Sequence, residues 1–220
     1  MAIFEPNLTS RLLVKAAENL IGGADYQILE LGCGSGFISG QLLKLGLCSG
    51  QNIYMSDISA EAVEKAIQSF SGLIPETNFR VGSCLSPWQD QEFDLIISDV
   101  AGIANEVAKV SSWYQGIEFE AGDDGLSNTL AVLGSARNHL KPFGALLFPI
   151  LSLSDRFKLR SEISKIFRSW TETEEKLWPL PDELLNHDEL LEELAKAGKI
   201  HLERKYGKTL GITSVAICRM

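Results

Sequence analysis

Carboxylates, glycines and hydroxyl or thiol side chains recur in the first hundred residues at spacings that suit the capture of a charged organic ligand. Glu30 stands two places before Gly32, and the run Gly32-Cys33-Gly34-Ser35-Gly36 puts glycine at every second position. Glycine lets a backbone turn sharply and lets a ligand approach where a Cβ would otherwise stand. Asp57, with Ile58 beside it, follows; Ser83 and Cys84 sit in Val81-Gly-Ser-Cys-Leu85; Asp99 closes the run Phe93-Asp-Leu-Ile-Ile-Ser-Asp99. A carboxylate can accept hydrogen bonds from hydroxyl groups or take a proton from a nucleophile. Such chemistry needs these groups on one rim.

The elements that would supply that rim alternate along the chain. Thr9 or Ser10 is expected to cap a first helix whose Leu12, Leu13, Ala16, Ala17 and Leu20 recur at helical spacing until Gly22-Gly23. Strands are expected at 27–31, 52–56, 78–81, 93–98 and 145–151. Helices are expected at 37–45, 60–70 and 127–140, the last with Leu130, Leu133, Ala136 and Leu140 on one face. Lys141-Pro-Phe-Gly144 reads as the turn before the last of those strands, and His139 as a residue of the preceding helix's last turn, facing its dipole. Apolar strands alternating with helices predict a Rossmann-like α/β fold, a doubly wound, mostly parallel sheet with helices on both faces. In such a sheet ligands sit beyond the carboxyl ends of the strands.

The glycine loop then discriminates between cofactors. A dinucleotide fingerprint would place its third glycine at position 37, which is Phe37. Glu30 would oppose a pyrophosphate but suits the sulfonium and ammonium of S-adenosylmethionine. The pattern resembles the acidic-x-Gly-x-Gly-x-Gly motif of class I S-adenosylmethionine-dependent methyltransferases. That resemblance implies that Glu30, Gly32, Cys33, Gly34, Ser35, Gly36, Asp57, Ile58, Ser83 and Cys84 bind the cofactor, with Asp57 on the ribose hydroxyls and Ser83 and Cys84 at the adenine edge.

A finer resemblance covers roughly residues 4–151. Phe93 to Asp99, Gly122-Asp-Asp-Gly-Leu126, the 141–144 turn and Glu5-Pro-Asn-Leu-Thr9 are similar to segments of the release-factor glutamine methyltransferases. That branch carries Asn-Pro-Pro-Tyr where this sequence has Asp99-Val-Ala-Gly102, so the amide, both prolines and the aromatic platform are missing. The resemblance implies a catalytic position at Asp99. The departure leaves glutamine unwarranted as the substrate and points to a nitrogen or oxygen acceptor on a protein or small molecule.

A net charge of -9 disfavours a nucleic-acid acceptor, because a phosphate backbone would be repelled. Four widely spaced cysteines suggest neither a metal site nor a disulfide framework. The opening residues do not look like a signal peptide and no apolar run approaches a membrane span, so a cytoplasmic protein without membrane attachment is expected. One domain over 1–220 is expected. Pro181–Ala197 reads either as a solvated helix packed on the core or as part of a lid inserted at about 179–208. Trp113-Tyr114 reads as packing or as a substrate wall, and His187 and His201 as surface residues. Two other functions stay open: an NAD-linked oxidoreductase, and a protein of this fold that binds S-adenosylmethionine without catalysis.

Overall fold

The computed structural model describes residues 6–115, 117 and 119–219; Glu5 and the start of the 4–151 resemblance lie outside them. At the centre of the sheet, β1 (Ile28–Leu31) is buried at all four positions, as a parallel strand covered on both faces must be. It pairs in parallel with β2 (Ile53–Asp57) on one side and with β4 (Phe93–Ser98) on the other. Beyond them lie β3 (Phe79–Val81), parallel to β2, and β5 (Leu140–Leu151), parallel to β4. The chain therefore winds outward in opposite directions from β1 and β4, and the crevice between their carboxyl ends is the topological switch point.

Each face has its own helices. On one, α1 (Leu8–Glu18), α2 (Phe37–Lys44) and α3 (Ala60–Ser69) press Leu13, Ile38, Leu42 and Val63 onto Ile28, Ile53 and Leu95. On the other, α5 (Ser127–Ala136) and α6 (Arg156–Ile166) bury Val132, Leu133, Leu159 and Ile163 against Leu29, Ile96 and Leu146. The short α4 (Asn105–Lys109) follows β4.

The far edge is antiparallel. After β6 (Ser169–Glu172), β7 (Lys176–Pro179), α7 (Asp182–Leu185), α8 (Asp188–Lys196) and β8 (Glu203–Lys205), the chain returns as β9 (Lys208–Arg219), which pairs with β5 and carries β6, β7 and β8 on its other side. A third apolar cluster joins Leu184, Leu191 and Leu194 of α7 and α8 to Ile103, Ala104 and Val107 around α4. Truncating a fully buried leucine such as Leu191 to alanine should cost ~2–5 kcal/mol.

Several expectations are corrected. Asn7, not Thr9 or Ser10, caps α1, its carboxamide oxygen accepting from the backbone N–H of both. Helix α5 stops at Ala136, so His139 lies beyond the helix, buried, with Nδ1 against the Gln91 carbonyl. Residues 141–144 bulge out within β5: Leu140 pairs with Phe93 and Ala145 with Leu95, and Lys141 ties the bulge to Asp94. Proline there ends a helix locally but is compatible with a bulge. The segment 181–197 breaks at Asn186-His187 into α7 and α8. The closing strand β9 begins at Lys208, directly after a hairpin turn with Tyr206 and Gly207 both at positive φ. His187 is exposed and His201 is half-buried against Phe157.

Candidate functional site

A cavity of about 960 Å³ opens at the switch point and runs from the glycine loop to the β5–β9 edge. Every residue expected to bind a ligand lines it except Gly36, which is buried directly behind as the residue preceding α2.

At the glycine end, Gly32 takes φ +69, and a Cβ there would stand 2.9 Å from the Asp99 carbonyl oxygen. Only glycine lets the ends of β1 and β4 close this tightly. The Asp57 carboxylate ties the loop to the next unit: Oδ2 accepts from Gly34 N–H and Oδ1 from Ser59 N–H, both at 2.9 Å. Each oxygen keeps a lone pair for a ligand hydroxyl. Ile58 is 71% exposed and forms an apolar lip beside it. Opposite, Ser83 is exposed and Cys84 sits at φ +49 with its thiol directed at the Asn128 carbonyl.

Glu30 behaves differently from a simple counter-ion. It is 2% exposed, and its Oε2 accepts from the backbone N–H and the hydroxyl of Ser39 in the first turn of α2. Gly36 offers α2 no capping side chain, so Glu30 satisfies that helix end from the neighbouring strand. Burial pushes its pKa up to about 7, only partly opposed by the hydrogen bonds from Ser39. Cys33, also buried, is held as a thiol by the same desolvation with Glu30 and Asp57 nearby.

Asp99 marks the middle of the cavity. Its backbone N–H donates to the Leu31 carbonyl, continuing the β1–β4 pairing, and the Ser10 hydroxyl donates to Oδ2 at 2.7 Å. Desolvation raises its pKa to about 6, against that hydrogen bond from Ser10. Among the described residues, Oδ1 accepts no hydrogen bond. An aspartate so placed can accept a proton or a hydrogen bond from a nucleophile.

Beyond Asp99 the wall turns aromatic. Trp113 and Trp178 meet edge to face at 5.9 Å, Tyr114 stacks on Phe119 at 4.6 Å, and all four line the cavity. Trp113-Tyr114 therefore stand on the wall. Trp178 Nε1 donates to Thr213 Oγ1 at 3.0 Å, which fixes the indole. The loop after β4 is held by Asn128, whose Nδ2 donates to the carbonyls of Ala101 and Glu120. Gly125, at φ +73, lets the 122–126 segment approach so closely that a Cβ would lie 2.6 Å from the Ile103 carbonyl carbon. Sequence reasoning missed Ser10, Ser39, Phe119, Asn128 and Trp178. Ser10 had only its helix-start position as a signal, and isolated Trp178 had none.

Comparison with known proteins bears on this geometry. The family profile described as a methyltransferase domain matches residues 23–199. A bifunctional methyltransferase of Rickettsia prowazekii (strain Madrid E) is 26% identical over 223 residues, covering 96% of this chain and 39% of its own length. The bifunctional methyltransferase of Rickettsia typhi (strain ATCC VR-144 / Wilmington) is 27% identical over 198 residues, covering 84% and 35%. This chain thus spans about two fifths or less of the length of these relatives. Among solved structures, the ribosomal protein L11 methylase from Lactobacillus delbrueckii subsp. bulgaricus superposes with a TM-score of 0.55 at 18% identity, over 99% of this chain and 81% of that one. A SAM-dependent methyltransferase from Geobacter sulfurreducens in complex with S-adenosyl-L-homocysteine gives 0.50 at 14%, over 94% and 90%. These structural likenesses are likenesses of fold.

Proposed function

The chain belongs to the methyltransferase domain family, and from that membership we propose that it methylates a nitrogen or oxygen atom, on a protein or small molecule, that is presented to Asp99. The enzyme is a methyltransferase and its cofactor is S-adenosylmethionine. The oxidoreductase and non-catalytic alternatives give way to that membership.

The residues present fit this cofactor. The narrow turn through Gly32, Gly34 and Gly36 leaves open space over the end of β1. Asp57 keeps acceptor capacity for a diol, and Ile58 and Cys84 offer apolar surface on either side. Glu30 lies under the loop, mainly as the anchor of α2 and secondarily as a negative charge that a bound cation would restore. In our reading Glu30, Cys33, Ser35 and the three glycines hold the methionine part, Asp57 and Ile58 the ribose side, and Ser83 and Cys84 the adenine side.

S-adenosylmethionine supplies a methyl group on a sulfonium sulfur, so that an acceptor lone pair forms the new bond to carbon while the carbon–sulfur electron pair returns to sulfur. The chain's residues then have to orient the acceptor, exclude water and receive a proton. Ser10 holds Asp99 through Oδ2, and Asp99 lines the cavity. The raised pKa makes the carboxylate a better proton acceptor than an exposed aspartate while keeping it mostly ionised at neutral pH. The single observation that carries the proposal is this half-buried, Ser10-oriented Asp99 on the cavity wall at the switch point.

The similarity to the release-factor glutamine methyltransferase branch supports the position of Asp99. The change to Asp99-Val-Ala-Gly102 argues for an acceptor other than a planar amide. One domain with residues 179–208 as a partial cover beside the acceptor end is part of the same reading: β7 brings Trp178 to the wall, and α7 and α8 support α4. Among the described residues no helix is long and apolar enough to cross a membrane.

Calorimetric titration of the full chain with S-adenosylhomocysteine tests the cofactor assignment. Binding that is lost in Gly34→Val while helix content is retained is the expected result. Full binding in that variant would remove the glycine loop from the site.

A further inference from the structure

The acceptor end of the cavity differs in kind from the cofactor end, and its lining narrows the acceptor. Among the described residues the cavity presents five carboxylate side chains, Glu30, Asp57, Glu61, Asp99 and Glu120, and no lysine, arginine or histidine. The aromatic wall begins directly beyond Asp99, with Trp113, Tyr114, Phe119 and Trp178 joined by Leu151 and Leu153. We propose that the acceptor is a basic amine on an apolar or aromatic stem, its nitrogen lodged against Asp99 and its stem lying on Trp113 and Trp178. This deepens the proposed function and rests on it.

The argument is one of charge and surface. An ammonium is attracted both to a carboxylate and to the negative face of an aromatic ring, whereas a phosphate or carboxylate acceptor would meet the like charge of Asp99. S-adenosylmethionine is itself a net cation, so an amine acceptor brings a second positive charge. Asp57 and Glu30 lie at the cofactor end and Asp99 beside the aromatic wall, so the cavity can hold both. A neutral amide or alcohol would leave the charge of Asp99 unmatched. Nor is the aromatic wall loose packing: Trp178 is fixed through its hydrogen bond to Thr213, and its ring lies so close over Gly211 that a Cβ there would stand 2.5 Å away.

The step balances with one proton. The ammonium gives a proton to Asp99 Oδ1, and the freed lone pair bonds the methyl carbon as the carbon–sulfur pair returns to sulfur. The product leaves as a methylated ammonium, and Asp99 passes the proton to water. Net, one amine hydrogen is exchanged for methyl and one proton is released.

The test uses the full chain saturated with S-adenosylhomocysteine, whose own binding is measured first. Three probes of nearly equal shape, 2-phenylethylamine, 2-phenylethanol and phenylacetate, are then titrated by calorimetry. The amine should bind at least ~10-fold more tightly than the alcohol, and the acid more weakly still, an interval equal to ~1.4 kcal/mol. Asp99→Asn should bring amine and alcohol to within about 3-fold of each other, and Trp178→Ala should weaken amine and alcohol alike by ~3- to 10-fold, the range of a lost aromatic contact to the stem. Equal affinity for amine and alcohol, or no binding of any probe to the loaded protein, overturns the amine assignment and leaves the methyltransferase reading standing. Failure of S-adenosylhomocysteine itself to bind overturns the reading beneath it. With labelled S-adenosylmethionine, label on 2-phenylethylamine supports a small-molecule source. Label on the amino groups of a lysine-bearing peptide supports a protein source. Label on a hydroxyl or amide overturns the inference.

Discussion

The two ends of the cavity are built by different means. At the cofactor end, backbone does most of the work: glycines at 32, 34 and 36, with Asp57 gripping the Gly34 and Ser59 amides, form one turn whose parts are neighbours in the first two strand–helix units. At the acceptor end, side chains from Ser10, Asp99, Trp113, Tyr114, Phe119, Trp178 and Thr213 converge from segments far apart in the chain. Backbone-made sites need particular residues at particular spacings, whereas a side-chain wall needs only the right surface in the right place. The two ends meet where Gly32 packs on the Asp99 carbonyl and where the Cys84 thiol reaches the Asn128 carbonyl.

The strongest way to separate them is at Asp99. If it receives the proton, Asp99→Asn should lower kcat by ~10²–10⁴ and leave cofactor affinity nearly unchanged. The rate of the unmodified enzyme should rise with pH through an apparent pKa near 6, a limb that disappears in Asp99→Asn. If Asp99 only orients the acceptor, Asn retains substantial activity and Ala does not. Full activity in Asp99→Ala would falsify both versions.

The opposite signature belongs to Asp57. Asp57→Ala should weaken S-adenosylhomocysteine binding by ~1–3 kcal/mol, through lost hydrogen bonds to a charged group and a loosened Gly34, with kcat at saturating cofactor little affected. Unchanged calorimetric affinity in a folded variant removes Asp57 from the site.

Gly32→Ala should break the separation itself. The alanine Cβ meets backbone rather than a flexible side chain, and φ +69 disfavours any L residue, so cofactor affinity and kcat should fall together. A variant that loses only one of the two would show that the ends are less coupled than their contact implies.

The smallest effect is thermodynamic and concerns Glu30. Its folded pKa is raised from 4.5 to about 7, so between those values the folded protein binds more protons than the unfolded chain. Stability attributable to this group therefore falls as pH rises through that window and levels off above it. Asp99, raised from 3.8 to about 6, adds a contribution of the same sign at lower pH. Glu30→Gln should flatten the decline in melting temperature from about pH 4.5 to about pH 7, a difference on the order of 1–3 kcal/mol at the upper end. A decline of unchanged slope in the variant assigns it elsewhere.

What the amino-acid sequence determined alone follows from locality. The order of strands and helices, the glycine turn and the acids at the strand ends are written in spacings of a few residues, and they are enough to predict a Rossmann-like sheet with a ligand over β1 and β2. Asp99 was legible because it ends a strand. Tertiary structure decided the rest. Asn7 took the cap of α1 and freed Ser10 to reach Asp99, a choice that depends on how α1 lies over β5 and β9. Residues 141–144 became a bulge instead of a turn because Leu140 found a partner in Phe93. Glu30 became an anchor for α2 because packing brings its carboxylate against the Ser39 amide and hydroxyl, and the desolvation that raises its pKa has no signature in residue order. The aromatic platform absent at Gly102 returned as Trp113, Tyr114, Phe119 and Trp178 from two distant segments. Contacts across such separations are set by the packing of whole elements, which short-range spacing does not encode.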